Sequence, residues 1–148
     1  MADLYEAMVA DFLTLNGRAF ICPQYYIPHD PERQVGGSSP DFIVLDFDNR
    51  DMVIVEVSAA SNLNNLFERI KNREARWFGP ARERLLQSGA ITAEWPTPRF
   101  LGFIRRELIA TAYNEFPEQN VCFFALEEAS FSYLYWDMRS RGLPRRIR

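Results

Sequence analysis

Lysine is almost missing from this 148-residue chain: of its 17 basic residues 16 are arginine, and Lys71 stands alone. The formal net charge of −3 argues against a protein that coats nucleic acid nonspecifically. Histidine is equally scarce. The single one, His29, sits between Pro28 and Asp30 and reads as a solvated loop side chain. There is no serine or cysteine nucleophile paired with a histidine, no His-Glu-x-x-His and no glycine-rich phosphate loop, which removes triad hydrolases, zinc proteases and kinases. Two cysteines, Cys22 and Cys122, match neither a zinc-ligand spacing nor a disulfide framework; their apolar surroundings predict buried free thiols. No apolar run approaches the roughly 20 residues that span a bilayer. The opening MADLYEAM carries acids where an export signal carries lysines, so the expected compartment is the cytoplasm, with no membrane partner.

What is present suits one globular domain. Hydrophobic residues make up 47% and charged residues 25%, enough apolar material for a core and too little charge for disorder. The spacing of Leu4, Met8, Phe12 and Leu15 predicts a helix over 3–15, with Asp3 as N-cap, Glu6 in a capping box and Asn16-Gly17 as the stop. A strand over 19–27, interrupted at Pro23, leads to a loop over 28–39 whose glycines and serines predict either mobility or close approach to a ligand, beside the plain reading of a connector. Strands follow over 42–47 and 52–57, joined by a turn at 49–51. A long helix is expected from about 62 to 77, resuming after Pro80 to 87; Leu63, Leu66, Phe67, Ile70, Trp77 and Phe78 line one side, and Asn65, Arg69 and Arg76 point away. After a linker over 92–98 come a strand (100–104), a helix (107–116) and a strand (121–126). This order implies an α/β sandwich with a mixed sheet of four to five strands flanked by helices, because the later strands need helical crossovers.

The most informative stretch is PDFIVLDFDNRDMVIVEVS, residues 40–58. It puts Asp41 at the head of one apolar strand and Glu56 near the end of the next, so a hairpin brings both acids to one rim. Paired carboxylates suit a hard divalent cation. The bland alternative is a strand-end turn acid and a solvent-facing acid on an edge strand. Against it, Glu56 lies inside Val-Ile-Val-Glu-Val, where burial without a partner is expensive.

Pro40-Asp41 followed, about 14 residues later, by Glu56-Val57-Ser58 resembles the motif of the PD-(D/E)XK nuclease superfamily. The acid-bearing first helix, the following helix rich in basic and amide residues, and the strand–helix–strand close also look like that family, up to about Glu128. The resemblance implies a restriction-endonuclease-like sandwich that hydrolyses DNA phosphodiesters with Mg²⁺ or Mn²⁺. It implies Asp41 and Glu56 as metal ligands, the Val57 carbonyl as a further oxygen donor, and Glu6 as an auxiliary ligand or water-orienting group, unless Glu6 is only a cap or surface acid.

Ser58 departs from the pattern, which has a lysine there. The missing cation is expected from Lys71 on the next helix, although its position about eight residues in puts it roughly 12 Å along the axis. Arg73 is a weaker substitute, because a guanidinium is no proton shuttle. Otherwise the metal suffices with Ser58 positioning water, or the fold is catalytically degenerate and serves as a nucleic-acid- or protein-binding, inhibitory or regulatory module. Arg105 and Arg106 are candidates for phosphate contact, or surface charges beside Glu107. DNA is the leading partner, with RNA, a protein partner or a homodimer as alternatives. Tyr25, Tyr26, Tyr133, Tyr135 and Trp136 stack on bases, pack on a partner or, for about half of them, pack in the core. The run FSYLYWDMR lies in an extension from about 129 and reads as an added strand or helix over a sheet edge, or a dimer surface. Five arginines in the last ten residues leave −8 on the remainder and predict a frayed basic tail over 139–148, or one that holds phosphate.

Overall fold

Near-continuous apolar runs in the 42–57 region, buried on both faces, build the centre of the molecule. In the computed structural model, which describes residues 3–15, 17–129 and 142–146, β2 (Phe42–Asp46) and β3 (Asp51–Val57) form an antiparallel hairpin. The side chain of Asp46 organises its turn, accepting the Asp48 and Asn49 backbone N–H groups at 3.1 and 3.2 Å. β1 (Ala19–Pro23) adds antiparallel on the outer side of β2; β4 (Arg99–Ile104) and β5 (Val121–Ala125) add parallel beyond β3. The result is an α/β fold with one mixed five-stranded sheet in the order β1-β2-β3-β4-β5. β3 is its central strand, so the edge-strand reading of Glu56 is overturned: its neighbours on both sides are paired, and it is only 6% exposed.

Side-chain alternation divides the core between the two faces. Phe42, Val44, Val53, Val55, Leu101 and Phe103 meet Val9, Phe12 and Leu13 of α1 (Leu4–Leu13). Ile43, Ile54, Phe100 and Phe123 meet a second layer of α2 (Asn64–Lys71), α3 (Gly79–Ser88) and α4 (Ile109–Glu115). A 3₁₀ turn (Arg106–Leu108) precedes α4, and a short α5 (Leu126–Ala129) follows β5. The α1 cap is as expected: Asp3 accepts the Glu6 N–H at 2.7 Å.

Between α2 and α3 lies a π-helical turn, Glu74–Phe78. Pro80 explains it. A proline ring clashes with the carbonyl four residues back, here that of Arg76, and the chain widens by one residue so that the Gly79 N–H reaches the Glu74 carbonyl instead.

The 24–40 loop is docked, and it is braced against this turn. The Gly36 N–H donates to the Ala75 carbonyl at 2.9 Å, and buried Trp77 donates its Nε1–H to Ser38 Oγ at 3.1 Å. Trp77 in turn stacks on Phe100, with centroids 5.6 Å apart. Gly36 has φ +78, and a Cβ there would lie 2.2 Å from the Pro28 carbonyl oxygen. The glycine serves this backbone approach.

Two further expectations change. Cys22 is exposed, because β1 is an edge strand, whereas Cys122 is buried as predicted. The basic tail, as far as 142–146 is described, is held in place rather than frayed: Arg145 reaches Asp51 at 3.1 Å, and Arg146 donates to the Phe116 and Glu118 carbonyls at 2.8 and 2.7 Å. Arg99 ties the same region down, binding Asp51 at 2.9 Å and the Pro144 carbonyl at 2.7 Å. Arg139, Arg141, Arg148 and the FSYLYWDMR run, with Tyr133, Tyr135 and Trp136, lie outside the described residues. Among the described residues, no helix is long and apolar enough to cross a membrane.

The Gly36→Ala protein should lose more than about 2 kcal/mol of stability in denaturant titration, from left-handed backbone strain plus collision with a carbonyl. An unchanged midpoint would show that the loop does not need this approach.

Candidate active site: a carboxylate cluster at the β2–β3 rim

Phe42 pairs with Val55, so one step outward Asp41 stands opposite Glu56. Residues directly opposite in an antiparallel pair share a face. Here it is the Ile43 and Ile54 face, under the helical layer of α2 and α3. The acids interlock. The Asp41 backbone N–H donates to Glu56 Oε2 at 3.1 Å, and the Val57 N–H donates to Asp41 Oδ2 at 2.8 Å. Gln24, at the exit of β1, adds its Nε2 at 3.4 Å from Asp41 Oδ1. Residue N–H and C=O groups in a strand point the same way, so the Val57 carbonyl also faces the Asp41 side.

Glu6 arrives from the first turn of α1. Its carboxyl takes part in the cap, accepting from the Asp3 backbone, and also hydrogen-bonds with Asp41. Cap and site member are thus the same residue.

Crowding beside Asp41 disfavours the charged forms of Glu56 and Glu6. Glu56 is pushed up to about 8, chiefly by burial and then by its hydrogen bond and repulsion with Asp41; Arg69 opposes the shift. Glu6 is pushed up to about 7 by burial, by Asp41 and by Asp3.

The cation at this site is one that the helical pattern had turned away. Arg69 Nε lies 3.3 Å from Glu56 Oε1. Arg76 stands within electrostatic range of both Arg69 and Glu56, and its Nε is buried without a hydrogen-bond partner. Off the apolar stripe, both arginines looked solvent-facing; they occupy the helix flank that overhangs the rim. Seven residues apart is two turns, so they share that flank. The pairing of this spacing with strand-end acids was the available signal. Gln24 had none, since it reaches Asp41 only through the β1–β2 register.

Lys71 is elsewhere. It lies two residues beyond Arg69, about 200° around the helix. Its Nζ is engaged by Glu115 at 3.2 Å and Glu68 at 3.5 Å, which raises its proton affinity. Arg73 binds the Ile70 carbonyl and Asn120, at 2.9 and 3.2 Å, and is also away from the acids. Arg105 donates to the Ala59 carbonyl, bracing the loop that follows Ser58. Arg106 pairs with Glu128 at 3.2 Å. Ser58 is half-buried next to the cluster, and its Oγ accepts the Ala60 N–H at 3.3 Å.

No family model, curated protein or solved structure matches this chain. The chemistry of the site therefore rests on its own donors. Among the described residues, no three His, Cys, Asp or Glu side chains form a ready-made ligand set. Asp41 and Glu56 offer a two-carboxylate site bordered by Glu6. That donor set fits Mg²⁺, which keeps several waters and takes one or two carboxylates rather than an all-protein cage.

Because Glu56 binds its proton more tightly in the folded state, its contribution to stability is complete below about 4.5 and lost as pH rises towards about 8. Glu6 acts in the same direction up to about 7. In metal-free buffer, the melting temperature of the Glu56→Gln protein should exceed wild type at pH 8, with the gap closing towards pH 5. Parallel melting curves for the two proteins across that range would contradict the crowding.

Proposed function

We propose that this chain is a divalent-metal-dependent nuclease-like domain that hydrolyses DNA phosphodiester bonds. The observation that carries this reading is the interlocked Asp41–Glu56 pair at the end of β3, with Glu6 beside it. The mixed sheet between helical layers supports the restriction-endonuclease-like sandwich expected from the PD-(D/E)XK resemblance. Asp41 and Glu56 would hold Mg²⁺ or Mn²⁺, with the Val57 carbonyl as a further donor. Such an ion supplies charge neutralisation at the phosphate and a water of lowered pKa.

The remaining roles belong to the chain. Glu6, whose proton affinity is raised towards neutrality, holds a proton at the rim and can pass it. Ser58, whose oxygen accepts from Ala60, can turn its hydroxyl proton to water or a phosphate oxygen. Arg69 supplies the positive charge that position 58 lacks; a guanidinium stays protonated, so its role is electrostatic. Lys71, held by Glu68 and Glu115, has no part in it.

A second reading has its own support: a guanidinium already sits on Glu56 and a serine replaces the lysine, as in a scaffold retained for binding nucleic acid or a protein. RNA in place of DNA is a variant of the first reading.

Incubation with single- and double-stranded DNA and RNA in Mg²⁺ or Mn²⁺ tests both. Cleavage by wild type that falls to buffer background in Glu56→Ala and Asp41→Ala supports the enzyme. Equal cleavage by all three proteins would rule these residues out. Nucleic-acid binding without cleavage, insensitive to both substitutions, would leave the binding module.

A further inference from the structure

Arg69 touches Glu56 through Nε alone, at 3.3 Å, instead of the two-bond fork that a guanidinium makes with a carboxylate at its strongest. Its two terminal nitrogens have no hydrogen-bond partner among the described residues, and its side chain is about one-third exposed. Two helical turns on, Arg76 has its Nε buried and unpartnered, with the guanidinium 5.7 Å from the Trp77 ring. A buried donor left without an acceptor costs about 1–3 kcal/mol. Burial and the neighbouring Arg69 both weaken the hold of Arg76 on its proton, and only Glu56 counters them. The backbone of this segment is braced, since Gly36 binds Ala75 and Trp77 binds Ser38. Two adjacent guanidiniums with open donors, on a braced turn beside an acid cluster, lack one thing, an anion.

The same geometry sets up a competition. A divalent cation taken up by Glu56 would meet the charge of Arg69 on the same carboxylate, and the two cannot share it at such range without strong repulsion. Resting on the metal-binding reading above, we infer that Arg69 and Arg76 form a phosphate-binding pair coupled to the cation site: Arg69 rests on Glu56 in the cation-free protein and turns to a phosphate group beside Arg76 when a divalent cation takes that carboxylate. The phosphate is that of a nucleic-acid strand, which a planar donor fork recognises through two oxygens at once. Coupling of this kind is reciprocal, so each ligand tightens the other.

Calorimetric titration of Mn²⁺, with and without thymidine 5′-monophosphate, tests the inference without requiring turnover. In wild type the nucleotide should tighten Mn²⁺ binding by about 5-fold or more, the lower end of ordinary coupling. Arg69→Gln should bind Mn²⁺ more tightly than wild type when alone and gain nothing from the nucleotide. Arg76→Gln, in which Glu56 keeps its arginine, should bind the nucleotide more weakly and show a smaller coupling. Should Mn²⁺ bind while Arg69→Gln keeps the wild-type nucleotide effect, or Arg76→Gln keep wild-type nucleotide affinity, the phosphate pair is wrong and the metal reading survives. Absence of Mn²⁺ binding in wild type and in a folded Arg69→Gln protein, checked by circular dichroism, would overturn both.

Discussion

Asp41 and Glu56 cap each other's strands, and the rim of the molecule depends on that exchange. Beyond the last ladder pair, the backbone N–H groups of Asp41 and Val57 have no strand partner on that side. Each is satisfied by the carboxylate of the opposite strand. Accepting backbone N–H groups favours ionised carboxylates, while burial and mutual repulsion disfavour them. At Glu56 the second influence wins despite Arg69. Glu56 is thus structurally committed and electrostatically frustrated at once. Such frustration is relieved by positive charge, in part by Arg69.

The helical layer holds the opposing charge by a different device. Pro80 forces the turn before it to widen, and the 24–40 loop packs its backbone against the widened turn through Gly36. Trp77 joins that turn to the sheet by stacking on Phe100. Loop, turn and sheet therefore form one braced unit from which Arg76 projects, and Arg69 extends from the adjoining helix to Glu56. At the opposite end of the sheet, Asp51 gathers Arg99 and Arg145 around a nearly buried carboxylate. That clasp anchors residues 142–146 and has no visible share in the acid site.

Much of the fold could be read directly from the chain. Near-continuous apolar runs over 42–47 and 52–57 with a turn between them announced the hairpin, Asp3 and Glu6 announced the first helix, and the order of later elements required a mixed sheet. Pro40-Asp41 and Glu56 stood out because acids are costly inside apolar strands. Lys71 misled because scarcity drew attention to it, whereas its position on the helix turns it to Glu115. The loop stays open in the sequence because its glycines and serines suit mobility, close approach to a ligand or a plain connection, and composition does not show that Gly36 serves a close backbone approach.

The sequence by itself determined the alternation that puts Asp41 and Glu56 on one side of the sheet, since a strand's side-chain period leaves little freedom in that choice. Only the tertiary structure decided which cation meets them. A helix pattern separates an apolar stripe from everything else, but it does not say which polar flank overhangs a neighbouring strand end. That depends on how α2 lies across the sheet and on the extra residue in the turn before Pro80, both products of packing between segments distant in the chain.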